Sequence, residues 1–367
     1  MKSKICYVIS EYNPDSSSHY FHIYELLENV SSKSDLYIYL ENPSSALPPF
    51  GHAYLAHFGI PPFNLIERMF IFSILKFKGY QNFYIHYSLY SSIIASIIVR
   101  IFGGRSFFWF SQFYSHHKHR IWEEIAFRLN LDLVSFLVTS NPGMKEYFIT
   151  TYHINQIKVK IFPLWINLRR FPRLSTLEKN KLKAQLRVRN KKIVLFVHWL
   201  SPRKGADKII PIAEKLMSRI KNVVIIVIGG GPLYSSLKSE VSKKHLNKEI
   251  IMLGPISNRE ISKYFSIADI FFMPSKEEEF PRVVLEAMAI GVPIVATDTV
   301  GPRYLLSGME RSSLVKSSDP SVFAQKIIQL INSPATSTKL SQIERRQVKS
   351  YDLLKGVGKF LRLFMYD

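Results

Sequence analysis

The chain has 367 residues, 47% hydrophobic and 21% charged, which excludes a disordered or low-complexity chain and suggests two domains. Its one cysteine, Cys6, excludes an intramolecular disulfide and a multi-thiolate metal site, and a reducing compartment is the simplest reading. The formal net charge of +21 favours polyanionic surroundings (nucleic acid, anionic lipid or phosphorylated substrates), with ordinary solvated surface as the plain alternative.

The apolar run at the N-terminus is too short for a secretory signal. Residues 5–10 read as a short buried strand, followed by a polar loop over 11–18 and an amphipathic helix from His19 to about Val30. Strands are expected at 36–40 and 82–86, a helix over 91–102 ended by Gly103-Gly104, and a strand at 106–110. Residues 84–102 are apolar but interrupted by His86 and Arg100, so no membrane span is expected. Another strand fits 133–140, with Asn141-Pro142-Gly143 opening a helix. Residues 169–192 carry ten Lys and Arg and one acid, Glu178, as a domain boundary would. The pattern then restarts, with strands at 192–197, 223–228, 250–253, 270–273 and 294–296. A helix is expected over 207–220, and Gly229-Gly230-Gly231-Pro232 makes a loop before another. Such alternation predicts an α/β fold of two doubly wound, Rossmann-like domains, with ligands at the carboxyl ends of the strands.

Residues 275–293 are the most informative. A strand ends at Met273, a loop of carboxylates follows, and a helix starts near Pro281 and stops at Gly291, with Pro293 beyond. Arg282, Val283 and Val284 would then offer backbone N–H groups to an anion such as a pyrophosphate. Glu286 sits one turn inside and Glu278 on the loop above. Carboxylates beside a phosphate site suit sugar hydroxyls, and both are expected outside the core. A solvated acidic turn is the alternative reading.

Glu278, seven residues, then Glu286, followed by Ala287-Met288-Ala289, Gly291 and a Val-Pro-Ile-Val-Ala-Thr run, resembles the signature of retaining GT-B glycosyltransferases. These form the nucleotide-sugar-dependent family four. The resemblance covers roughly 192–330. Residues 198–207, containing Arg203-Lys204-Gly205, look like the family's first phosphate loop; residues 228–233 look like its second glycine-rich turn. Residues 253–256 look like the strand end facing the base, and 314–330 like the helix after the donor site. The resemblance implies two domains facing across a cleft. It implies Glu278 on hydroxyls of the donor sugar, Glu286 on the ribose, and Lys204 on the diphosphate. Backbone of Phe280, Pro281, Arg282 and Val283 would cradle the distal phosphate, and Pro255 or Ile256 would meet the base. Arg203 and Gly230 complete the expected donor site.

This chain departs from the family pattern in places. The family has Gly-Arg where His198-Trp199 stand, and glycine where Glu279 stands. Ser16-Ser17-Ser18-His19 replaces a Gly-Gly turn, and Ser111-Gln112 stands where a histidine is usual. His86, which follows a strand, is the expected catalytic histidine beside Glu278 and Lys204, with His116, His117 and His119 nearby in sequence.

The resulting expectation is metal-independent, retaining transfer of a sugar from a nucleotide diphosphate sugar to a hydroxyl of a glycan or lipid-linked acceptor. The co-substrate is the nucleotide sugar and no cofactor is expected. An inactive membrane-associated relative, a sugar-nucleotide epimerase and a basic nucleic-acid-binding protein are the alternatives, although no DNA or RNA module is recognisable. The expected domains are 1–168 for the acceptor, a basic linker at 169–191, 192–345 for the donor, and a helix within 346–367 that crosses back. A cytoplasmic protein is expected, peripheral on the inner face of the cell membrane. Residues 65–78, with Phe70, Phe72 and Phe77, would then lie on an anionic surface as an interfacial helix; a buried helix is the alternative.

Overall fold

The structure is a computed structural model describing residues 3–13, 20–116, 119–317 and 319–365. The Ser16–Ser18 stretch, His19, His117 and the His116 side chain lie outside the described residues. The chain divides into two compact units, one of residues 1–164 and 353–367, the other of residues 165–352.

The first unit begins β1 (Lys4–Ile9), α1 (Phe21–Ser31), β2 (Asp35–Leu40), β3 (His52–Leu55), α2 (Phe63–Phe77), β4 (Asn82–His86) and α3 (Leu89–Phe102). It continues β5 (Arg105–Trp109), α4 (Ile121–Leu133), β6 (Phe136–Thr139), α5 (Pro142–Tyr152) and β7 (Val159–Ile161). All seven strands are parallel, in the order β3-β2-β1-β4-β5-β6-β7. The order reverses between β1 and β4, so the carboxyl ends of those strands flank the sheet's switch point. A strand expected to start at Leu133 begins instead at Phe136, because Leu133 closes α4.

The second unit holds α6 (Thr176–Gln185), β8 (Lys192–Val197), α7 (Ile209–Met217), β9 (Val223–Ile228), α8 (Tyr234–Lys243), β10 (Ile250–Gly254) and α9 (Ile261–Ile267). It ends with β11 (Ile270–Met273), α10 (Arg282–Ile290), β12 (Ile294–Thr297), α11 (Val300–Leu305), β13 (Leu314–Val315), α12 (Pro320–Ile331) and α13 (Pro334–Gln347). Its sheet runs β10-β9-β8-β11-β12-β13, all parallel, with the switch point between β8 and β11. The basic stretch 169–191 carries α6, whose start is closed by a capping box between Ser175 and Glu178. The stretch read as one helix over 314–330 is the short β13 followed by α12, which starts at Pro320 under an Asp319 cap.

The last helix, α14 (Leu353–Arg362), belongs to the first unit. Its apolar face packs on the β1–β4–β5 surface. The fully buried Phe360 ring meets Tyr84 at 4.9 Å, Phe162 at 5.5 Å and Tyr7 at 6.0 Å. Phe364 meets Phe107 at 4.9 Å, and Arg105 Nη2 donates to the Phe364 carbonyl at 2.8 Å. Phe72, expected on a lipid-facing surface, is 0% exposed and packs edge-on to Tyr39, so it is core.

Two stability predictions follow from this packing. Phe360→Ala should lower the first unit's unfolding free energy by about 3–5 kcal/mol in urea titrations. A loss under about 1 kcal/mol, the scale of a surface change, would remove α14 from that core. In the second unit, burial pushes the Glu344 carboxyl up to about 8, and the neighbouring Glu310 adds to the rise. The folded value lies above the unfolded one, so stability is full below about pH 4.5 and declines as pH rises through 8. Glu344→Gln should flatten that decline in melting curves taken across this range; an unchanged slope would exclude Glu344 as its source.

Candidate active site

The switch point of the second sheet is where the chemistry-bearing residues gather. The loop after β8 carries His198 to Gly205, and the loop after β11 carries Pro274 to Pro281. The two loops are stitched together by backbone: Lys276 N–H donates to the Arg203 carbonyl at 2.9 Å, and Ser275 Oγ to the Lys204 carbonyl at 3.4 Å. Gly205 permits this approach. It sits at φ 73°, and a Cβ there would lie 2.2 Å from the Pro274 carbonyl oxygen.

This stitching brings Lys204 and Glu278 together. Lys204 Nζ donates to Glu278 Oε1 at 2.8 Å, and His198 Nε2 reaches the same oxygen at 2.8 Å. Glu278 is only 3% exposed, and Lys204 is buried too. The expectation that Glu278 and Glu286 stand outside the core is therefore corrected: both are buried. Trp199 N–H donates to His198 Nδ1 at 2.8 Å. That bond makes Nδ1 the acceptor, so the proton sits on Nε2 and points at Glu278. Burial lowers the His198 pKa, and the nearby Lys204 and Arg203 cations add to the effect against the pull of Glu278. The imidazole is thus neutral at pH 7. Burial alone would raise the Glu278 carboxyl, but His198 and Lys204 outweigh it and bring it down to about 2. With the imidazole neutral, Lys204 supplies the opposing charge and His198 a hydrogen bond.

Sequence reading noted His198 only as a departure from the family pattern. Its place, one residue past the end of β8, was the signal that it could reach the loop after β11. Arg203 points elsewhere, its Nη1 3.6 Å from Glu279 and 3.8 Å from Glu277. Burial raises the Glu279 carboxyl.

Pro281 is the N-cap of α10 rather than its first helical residue, and the helix starts at Arg282. Of the three N–H groups expected to be free, that of Val284 is taken by the Pro281 carbonyl at 3.1 Å. The first N–H groups of the helix otherwise face outward, beside the carboxylate loop. The Arg282 side chain turns away, its Nη1 donating to the Trp165 carbonyl at 3.0 Å. Gly301 N–H donates to the Glu278 carbonyl at 2.8 Å, so the start of α11 holds the loop from behind. On α10, Glu286 is buried and accepts no hydrogen bond from any described side chain or backbone group; burial raises its carboxyl.

The glycine-rich turn after β9 packs on the first loop. Gly229, at φ 138°, would place a Cβ 1.9 Å from the His198 carbonyl oxygen. The Gly230 carbonyl accepts from Leu200 N–H at 2.8 Å, and its Cα faces only the Trp199 ring. Trp199 itself is 60% exposed at the mouth of this site. Phe280 is buried, whereas Pro255, just past β10, is exposed.

In the first unit, His86 ends β4 at that sheet's own switch point. Its Nδ1 lies 3.2 Å from the Tyr7 hydroxyl, and its ring stacks on Trp109 at 5.8 Å. His119 stacks on Tyr114 at 3.7 Å. Among the described residues no group of three or more His, Cys, Asp or Glu could hold a metal ion.

Residues 178–347 match the family described as glycosyl transferases group 1. That match lies within the second unit. A relative named 2-deoxystreptamine N-acetyl-D-glucosaminyltransferase, from Niallia circulans, is 29% identical over 171 residues, 47% of this chain and 43% of that one. An Escherichia coli galactosyltransferase named for UDP-Gal and GlcNAc-diphosphoundecaprenol is 22% identical over 226 residues, 60% of this chain and 57% of its own. The chain spans about half the length of the curated relatives it matches. The likeness in fold extends further than that match. Anabaena HepE, crystallised with UDP and glucose, superposes with a TM-score of 0.80 at 16% identity and covers 100% of both chains. Sucrose-phosphate synthase from Thermosynechococcus elongatus does so at 0.81 and 17%, over 99% of this chain and 98% of that one. Both units thus have the GT-B fold class.

The buried pair gives the second unit a measurable signature. Glu278→Gln leaves the Lys204 ammonium buried without its carboxylate and should cost about 3–5 kcal/mol in urea unfolding. Adding Lys204→Met should recover part of that loss. Two costs that simply add would show that the residues do not act as a pair. Because the Glu278 pKa is depressed, the pair's contribution is present above about pH 4.5 and is lost as pH falls towards 2.

Proposed function

We propose that the protein is a retaining, metal-independent hexosyltransferase. It moves a sugar from a nucleoside diphosphate sugar to a hydroxyl of a glycan or lipid-linked acceptor. The observation that carries this reading is the convergence of Lys204, Glu278 and the start of α10 at the switch point of the second sheet. One cation and a helix start suit a diphosphate, and a buried, hydrogen-bonded carboxylate beside them suits sugar hydroxyls.

In this reading Glu278 orients hydroxyls of the donor sugar, and Glu286, a buried acceptor with no donor of its own, takes the ribose hydroxyls. Lys204 and the backbone from Phe280 to Val283 stabilise the negative charge that develops on the leaving diphosphate. The bond from the anomeric carbon to the diphosphate oxygen breaks as the acceptor oxygen bonds to the same face. The acceptor's proton passes to the leaving phosphate oxygen, so no separate base is required. Pro255 lies on the base side, Gly230 and Arg203 border the phosphates, and His86 stands on the acceptor side. The names of the relatives support the class: one refers to a UDP-sugar and a lipid diphosphate acceptor, and one neighbour was crystallised with UDP and glucose. An acceptor of that type presents its reactive end at an anionic membrane surface, the second partner in this reading.

Trp199, standing where the family carries a phosphate-binding arginine, favours a second reading: an inactive relative that binds the nucleotide without transferring. Transfer of radiolabelled sugar to a lipid acceptor separates the two. For both, Lys204→Ala removes a charge-assisted hydrogen bond to the diphosphate, about 1.5–3 kcal/mol. Calorimetry should show nucleoside diphosphate binding weakened roughly tenfold or more. Arg203→Ala, aimed at Glu277 and Glu279, should change it less. Unchanged affinity in Lys204→Ala would remove Lys204 from the site.

A further inference from the structure

Helix α2 buries Phe72 and Leu75 but leaves a second apolar face exposed. A helix laid on a sheet ordinarily turns its apolar stripe inward and its charges outward. Here Asn64, Arg68 and Lys76 are buried, while Phe63, Ile66, Met69, Phe70 and Phe77 are exposed, Phe77 at 74%. Both inward cations have a partner: Arg68 Nη2 lies 3.4 Å from Glu41 Oε1, and Lys76 Nζ donates to Gln81 Oε1. Such partners fix the helix in this orientation, and the outward apolar residues are left to water. The segment is thus a surface helix with one face buried and one exposed.

The apolar face does not stop at α2. The steps β3 to β4, β4 to β5 and β5 to β6 all run in one direction, so right-handed crossovers put α2, α3 and α4 on the same side of the sheet. The Phe77 ring meets Phe102 of α3 at 5.3 Å, and Ile97, Ile101 and Phe102 are exposed. Arg100 of α3 donates to the Asp132 and Leu133 carbonyls at the end of α4. On α4, Ile121, Trp122, Ile125 and Leu129 form an exposed stripe at helical spacing. An apolar surface extending over three adjacent helices exceeds what single scattered residues explain and marks a partner.

We propose that this three-helix face is the surface by which the protein docks on an anionic lipid bilayer, lying in the headgroup region without crossing it. The inference deepens the lipid-linked-acceptor reading, on which it rests for its purpose. No described helix is long and apolar enough to span a membrane, so apolar surface confined to one side suits in-plane binding. Charge selects the occupant. Three of the acids on this face are engaged: Glu67 accepts from Tyr54, His57 and Phe58; Glu124 pairs with Arg128 at 2.8 Å; and Glu123 accepts from Arg120 N–H. Lys78 and Arg120 are exposed, and Arg120 lies over the Trp122 ring at 5.0 Å, an amphipathic pairing suited to headgroups. The first unit itself is basic, with 17 Lys and Arg against 12 Asp and Glu, which draws it to anionic lipid.

Vesicle sedimentation tests the proposal, comparing phosphatidylglycerol with phosphatidylcholine vesicles at low and high salt. The wild type should bind the anionic vesicles at least tenfold more tightly, and salt should weaken that binding. One variant combines Met69→Ser, Phe70→Ser and Phe77→Ser; another combines Ile121→Ser, Trp122→Ser and Ile125→Ser. Each should lose at least tenfold in vesicle affinity while keeping the wild-type melting temperature and nucleoside diphosphate affinity. Hydrogen exchange on the wild type supplies a readout that needs no variant: vesicles should slow exchange in α2, α3 and α4. Equal binding to both lipids, variants that bind like wild type, or exchange unchanged by vesicles would each overturn the proposal. So would light scattering showing a wild-type dimer that both variants convert to monomer, since a second copy would then occupy the face. Failure of the wild type to bind nucleoside diphosphate without vesicles would sink the transferase reading alone and leave docking to be judged on sedimentation.

Discussion

The ion pair between Lys204 and Glu278 is the constraint on which the second unit's active-end geometry depends. Its two members come from loops 74 positions apart in sequence, and they meet because β8 and β11 are neighbours at the switch point. A parallel sheet whose order reverses there leaves two loops diverging above a shared seam, and something must hold them. The Ser275 hydroxyl and the Lys276 N–H, donating to carbonyls of the first loop, do so from one side, and the buried pair does so from the other. An isolated carboxylate at this depth would protonate or draw the loop outward. Lys204 and the neutral, tautomer-fixed His198 keep it ionised and immobile instead. The same arrangement suits a ligand, because an acceptor already ordered loses little freedom when hydroxyl donors reach it.

Glu286 illustrates the opposite case. It is buried on α10, no described group donates to it, and burial favours its protonated form. Glu278 and Glu286 are separated by a single helix start, yet one carboxyl is pressed down and the other up. The difference lies in partners alone, and it separates a structural pair that a ligand can join from an acceptor kept empty within the fold.

Much of this was legible in the sequence because it rests on local rules. Short apolar runs marked β4, β8, β9 and β11, and Gly291 with Pro293 marked the end of α10. Phase and partnership were not legible. Helix α4 is capped by Arg120, a residue with no capping preference, so nothing announced its start. Strands β3 and β7 are short edge strands with four and three residues, too brief for alternation to show. His198 read as a missing glycine, because only the adjacency of β8 and β11 reveals the carboxylate it meets. Burial of Glu278 was missed for the same reason: a charged loop reads as solvated until the fold supplies a cation.

Helix α2 shows why composition cannot settle orientation. Its sequence holds apolar residues on every side, with Glu67, Arg68 and Lys76 interspersed, and periodicity is consistent with either face inward. Orientation is decided by what the sheet offers. Glu41, at the end of β2, is bonded by Ser88 and Ser91 and stands ready for a cation, and Gln81 waits beside Lys76. Turning Arg68 outward would leave Glu41 short of its counter-charge in a half-buried place, where an unmatched carboxylate is costly. Leaving five apolar side chains in water costs about 25 cal/mol for each square ångström exposed, a loss that a lipid surface recovers and a purely soluble existence does not. Arg68 and Lys76, buried beside Phe72 and Leu75, therefore fix which apolar side chains of α2 face outward.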